Sequence, residues 1–95
     1  MNNETVIKAF LSGKQAKTPL RNIVINGYYS YKGRTLFTDE NNLINYKTTI
    51  ATLKGNKLYL NITKYSNTTS HIQSKIRRLA ESMGLEIVEV KGIEL

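Results

Sequence analysis

Ninety-five residues with fourteen Lys and Arg against seven Asp and Glu, no cysteine and one histidine leave room for one hydrophobic core. They exclude a disulfide, a thiolate metal centre and a multi-histidine site. The charge is segregated: residues 1–80 hold thirteen basic and three acidic side chains, a net of +10, and residues 81–95 hold one basic and four acidic, a net of −3.

Such a surface attracts polyanions through its long-range field and through counterion release, and nucleic acid is the commonest partner of that kind. Ten Lys, ten Asn, ten Ile and six Tyr also match AT-rich coding, which accounts for some of the lysine but not for the gathering of acids at one end. With no long apolar run and no basic-then-apolar leader, a single domain over residues 1–95 is expected in the cytoplasm, away from membranes.

In chain order, Asn2 or Asn3 caps a short helix whose apolar face is Val6, Ile7, Phe10 and Leu11, and Gly13 ends it. A helix this short must dock on a sheet. Residues 14–21, KQAKTPLR, form a basic connector in which Lys14, Lys17 and Arg21 are either solvated or rim a binding surface. From Asn22 the pattern turns to period two, with Ile23, Ile25, Tyr29 and Tyr31 on one side and Val24, Asn26, Tyr28 and Ser30 on the other. Gly27 marks a bulge or bend, and Lys32-Gly33 reads as a hairpin turn. Residues 35–38 return, 39–42 form a polar loop and 43–53 make a longer strand. Gly55-Asn56 turns the chain into a strand with Leu58, Leu60 and Ile62 on one face and Tyr59, Asn61 and Thr63 on the other.

The clearest element comes next. Ile72, Ile76, Leu79, Ala80 and Met83 recur at the spacing of one helical stripe. Ser70 with Gln73 fits a capping box, Thr68 or Thr69 being the alternative cap, and Gly84 stops the helix. Glu81 is spaced to pair with Arg77, while His71, Lys75 and Arg78 share the opposite flank. A last strand follows at residues 85–90. The fold class is therefore α+β, in the order α-β-β-β-β-α-β: an antiparallel sheet of four to five strands with both helices packed on one face. The double-stranded-RNA-binding domain has a similar order of elements, although its loop histidine and paired lysines have no counterpart here.

Residues 45–78 contain a "Y-x-T-x-IA" strand, an "LYLN-x-T-KYS-x-TTS" turn and an "IQSKIR" helix. In these pieces, about a third of the chain, the sequence resembles small proteins of bacteriophages and related mobile elements. The resemblance implies a phage or prophage origin and, with it, a role in nucleic-acid handling, gene regulation or blocking a host defence.

No reaction is written in these residues. His71 lacks a serine and acid partner, adjacent Asp39 and Glu40 read as a turn, and no glycine-rich phosphate loop or calcium loop occurs, so neither an enzyme nor a cofactor is expected. The site expectation is a phosphate-binding surface. Lys64, Thr68, Thr69, Ser70, His71, Lys75 and Arg78 surround the helix start, where free N–H groups and the helix dipole favour anions, with Lys14, Lys17 and Arg21 assisting. Tyr59 and Tyr65 are the candidate stacking residues. Each also has a plain structural role: Ser and Thr cap helices, basic residues solvate a helix face, and Tyr favours strands. The expected partner is DNA or RNA. The alternatives are a host defence protein, inhibited as an anti-CRISPR protein would inhibit it, or a phosphorylated small molecule. The edge strand at 85–90 would be open to a second copy, making a homodimer.

Overall fold

A computed structural model of the chain describes residues 2–25, 27 and 29–93, with only the backbone of Ile25 and Tyr29. The facing expected for Asn26 and Tyr28, and for the side chains of Ile25 and Tyr29, lies outside the described residues.

The first helix, α1 (Asn3–Leu11), begins where expected. The Asn2 Oδ1 accepts from the Thr5 backbone N–H at 2.9 Å, and Val6, Ile7, Phe10 and Leu11 are all buried. The strand read through Gly27 instead reverses at that residue, whose φ is +73°. Strands β1 (Arg21–Ile25) and β2 (Tyr29–Gly33) pair antiparallel as a separate two-stranded sheet. Period-two alternation is the same on both arms of a hairpin, so the pattern is silent about the reversal. Gly33 ends β2 rather than forming a turn. A Cβ there would lie 2.7 Å from the Tyr31 ring, so the ring needs a glycine beneath it.

The main sheet holds β3 (Leu36–Asp39), β4 (Asn42–Asn45), β5 (Thr48–Lys54), β6 (Lys57–Asn61) and β7 (Glu86–Val90), in that spatial order. Residues 43–53, read as one strand, are folded back by a turn at Tyr46-Lys47. The order helix, strands, helix, strand holds, with hairpins where two longer strands were expected. Consecutive pairs are antiparallel up to β6, but β7 runs parallel to β6. The reason is α2 (Asn67–Ser82): a crossover helix returns the chain to the end where β6 began, so the next strand must run alongside it.

Both helices pack on one face, over Leu36, Leu43, Leu58 and Leu60, with Ile72, Ile76 and Ala80 supplied by α2. A register shift between Leu43 and Ile44 lets consecutive Ile50 and Ala51 both enter the core, which strict alternation would forbid. Each fully buried aliphatic side chain of this kind contributes about 1.5–3 kcal/mol of transfer free energy. The outer edge of β3 is covered by the connector: Thr18 N–H donates to Leu36 O and Thr38 N–H to Ala16 O, both at 2.9 Å.

Two buried asparagines tie the layers together. Asn45 donates to Thr35 O and accepts from the Thr69 hydroxyl, both at 2.7 Å. Asn61 donates to Thr49 O at 3.1 Å and to the Tyr65 hydroxyl at 2.9 Å, and accepts from the N–H groups of Thr63 and Gly92 at 3.0 and 2.9 Å. Among the described residues no buried side-chain nitrogen or oxygen lacks a partner.

The helix start differs from the expected capping box. Ser66 is the cap, its Oγ accepting from Thr69 N–H at 3.2 Å. Ser70 lies inside the first turn. Gln73 does not reach back to a cap but donates to Asn61 O at 2.7 Å and Thr63 O at 3.0 Å. The buried Thr69–Asn45 bond draws residues 67–70 into the helix, where local spacing alone favours a later start. Ser66→Ala should lower stability by about 1 kcal/mol, read as a lower urea midpoint at unchanged m-value, and Ser66→Asp should restore it. The helix ends as expected, with Gly84 at φ +76° and Leu85 N–H donating to Ala80 O. No helix among the described residues is long and apolar enough to cross a membrane.

Candidate nucleic-acid interface

The starts of α1 and α2 open into the same place. A hollow of about 430 Å³ is bordered by Asn2 and Asn3 at the start of α1, Thr68 and Ile72 of α2, Thr18, Pro19 and Arg21 of the connector and its junction with β1, and Tyr46 of the β4–β5 turn. The first N–H groups of a helix precede its own hydrogen-bond ladder and carry the positive end of its dipole, so two such ends favour an anion between them. Glu4, in the first turn of α1, turns along the helix towards Lys8, 4.0 Å away, and does not border the hollow.

This hollow has a neighbour on each side. Towards the middle of α2 it shares Asn3, Thr68 and Ile72 with a smaller one of about 190 Å³ that adds His71 and Lys75. In the other direction Tyr46 also borders a hollow of about 370 Å³, whose further walls include Tyr31, Lys32, Arg34, Phe37 and Lys47. The three adjoin through these shared residues, the last through Tyr46 alone, and this track of neighbouring hollows is bordered by Arg21, Lys32, Arg34, Lys47 and Lys75, and by no Asp or Glu. None of these five cations enters an ion pair among the described residues, where the pairs are Lys8–Glu4, Lys57–Glu86 and Arg77–Glu89. Arg34 is held in place by donating to Thr18 O at 2.8 Å.

The fold therefore brings together Thr68, His71, Lys75 and Arg21 from the expected set and separates the others. Thr69 is buried, 4 % exposed, with its hydroxyl spent on Asn45, so it is withdrawn from any ligand. Lys64 and Ser70 border a different hollow on the other flank of α2, beside Arg77 and Gln73. Arg77 reaches across to Glu89 of β7 at 3.3 Å rather than along the helix to Glu81; exposed as it is, that pair is worth no more than about 1 kcal/mol. Arg78 is exposed on the His71 and Lys75 flank, one turn beyond the track. Lys14 follows the far end of α1, about 14 Å along a nine-residue helix from the hollow at its start. Lys17 is exposed on the connector segment that bridges to Phe37.

The two tyrosines expected to stack lie elsewhere. Tyr59 is on the sheet face away from the helices, in a hollow of about 580 Å³ that Asp39 and Glu40 also border. Carboxylates there oppose a phosphate backbone, although the Lys54 ammonium lies 5.6 Å from the ring centre. Tyr65 is 46 % exposed, but its hydroxyl accepts from Asn61 and serves the buried network. The aromatic side chains that do stand among cations outside any ion pair of the described residues are Tyr31, Phe37 and Tyr46, the Lys47 ammonium lying over the Tyr31 ring. The adjacent Tyr46-Lys47 pair was the available signal; reading 43–53 as one strand hid the turn that places it. Among the described residues no three His, Asp or Glu side chains gather as a metal site would require.

No protein-family model, curated protein or solved structure matches the chain.

Proposed function

We propose that this is a non-enzymatic accessory protein of a bacteriophage or mobile element that acts in the host cytoplasm and binds nucleic acid along the track between α1, α2 and the Tyr46-Lys47 turn. The observation that carries this reading is the adjacency of three hollows bordered by five cations and no carboxylate, with two helix N-termini opening into the middle one. Phosphates supply the complementary charge at a regular spacing, and the Thr68 hydroxyl and first-turn N–H groups supply orientation.

Binding of labelled duplex DNA, single-stranded DNA and duplex RNA across a salt series tests the reading. Five phosphate contacts correspond to a slope of log K against log salt of about −3.5 to −4.5, depending on the strand form. Negligible binding to all three at low salt would overturn it. Tight, weakly salt-dependent capture of one host protein, with no nucleic-acid binding, would favour the counter-defence inhibitor instead.

A further inference from the structure

Resting on the nucleic-acid reading above, we infer that the hollow between Tyr31, Phe37 and Tyr46 is a subsite for an unpaired base, so that the preferred ligand is a single strand and not a duplex. Three aromatic residues from separate elements converge there: Tyr31 from β2, Phe37 from β3 and Tyr46 from the β4–β5 turn. Lys32, Arg34 and Lys47 stand around them. Each aromatic is half-buried; the Tyr31 ring already has Gly33 against it and the Lys47 ammonium over it, so it walls the hollow, and Phe37 and Tyr46 are the rings that offer surface to a base.

The backbone at Tyr46 adds an independent reason. Its φ is +58°, a conformation that glycine or asparagine adopts cheaply and a bulky side chain rarely does. The turn by itself favours a smaller residue than the ring that stands there. Lys47, next in the chain, places its ammonium 4.5 Å from the centre of the Tyr31 ring. One two-residue turn thus presents an aromatic ring and a cation side by side, the pairing that stacks a base while neutralising its phosphate.

The geometry of the nucleic acid then selects the strand form. In a duplex both faces of each base are covered by neighbouring bases, and only the backbone and the groove edges remain to be touched. A ring can stack only on a base that has left that arrangement. A duplex on this track would use the cations and leave the aromatic hollow idle, whereas a single strand uses both. No carboxylate borders the hollow to repel the strand, in contrast to the Tyr59 hollow across the sheet.

The test uses the whole chain and four ligands of equal phosphate count per strand: an oligothymidine, an oligouridine, a DNA duplex and an abasic sugar-phosphate strand. Tyr46→Asn removes the ring and suits the positive φ, so it should fold at least as well as the parent; Tyr46→Phe keeps the ring, and Lys54→Ala is a control off the track. The base-bearing strands should bind about tenfold more tightly than the abasic strand. Tyr46→Asn should remove most of that advantage, leave abasic and duplex binding unchanged and leave the salt slope unaltered, and Tyr46→Phe should restore it. The two base-bearing arms report DNA against RNA, and preference by either over the abasic strand supports the proposal. If Tyr46→Asn weakens base-bearing and abasic strands equally, or if the duplex binds as tightly as the single strands, the stacking subsite is overturned while the nucleic-acid reading stands. Absence of binding to all four overturns both.

Discussion

Asn61→Leu is expected to lower the free energy of unfolding by about 3 kcal/mol, although it exchanges one side chain for another of similar volume. Asn61 is fully buried, and both ends of its amide are used: two donated bonds hold β5 and the Tyr65 hydroxyl, and two accepted bonds hold the β6–α2 linker at Thr63 and the chain after β7 at Gly92. A leucine leaves the N–H groups of Thr63 and Gly92 and the carbonyl of Thr49 without this partner. Each such group costs about 1–3 kcal/mol when kept from water, less where water reaches it, and Gly92 lies at the surface. For a domain of this size the loss corresponds to a fall in Tm of roughly 12–24 °C. Urea unfolding with unchanged m-value measures it. A loss below about 1 kcal/mol would mean that the asparagine does not hold these segments together.

Arg21→Ala, Lys47→Ala and Lys75→Ala combined in one chain should reduce the steepness of the salt dependence by about 2–3 units of slope, since each phosphate contact contributes about 0.7–0.9. The three residues stand one in each of the neighbouring hollows. None is fully buried or ion-paired among the described residues, so stability should change little. The decisive comparison is Lys8→Ala, Lys54→Ala and Lys57→Ala together. That chain loses the same three charges, from a formal net of +7, at positions away from the track. If attraction depended only on net charge, the two triple variants would behave alike. The track predicts a shallower slope for the first and a near-parental slope for the second. Equal slopes would show that binding, where present, is a diffuse property of a basic surface.

The elements that were legible are those whose signals are local. The α1 face at Val6, Ile7, Phe10 and Leu11, most of the α2 stripe, and the termination at Gly84 depend on periodicity and on the freedom of glycine at positive φ, and they stand as read. One turn without glycine was hidden. Tyr46 takes a positive φ of 58° in a two-residue loop that its residue type does not announce, whereas the polar run at 39–42 marked the turn at Glu40, whose φ is 55°. A strand that reverses through such a loop keeps its alternation, so residues 43–53 look continuous.

The candidate site divides along the same line. Composition and charge order determined by themselves that residues 1–80 are strongly basic and that no cysteine or multi-histidine chemistry is present. A helix start near residues 68–70 was legible as an anion-favouring feature, because hydroxyl residues before an amphipathic stripe mark a helix start, but its cap is Ser66, earlier than Thr68, Thr69 or Ser70. Which cations stand beside that start was decided only by the tertiary structure. The crossover of α2 and the docking of α1 bring Arg21 next to Thr68, forty-seven positions away in the chain, and the β4–β5 turn carries Lys47 alongside. The same packing buries Thr69, sends Lys64 and Ser70 to the other flank, and places Tyr59 across the sheet among carboxylates. Periodicity records which face a residue takes on its own element. Which element lies opposite that face is set by contacts between distant segments, and a single sequence without its fold does not contain that distance.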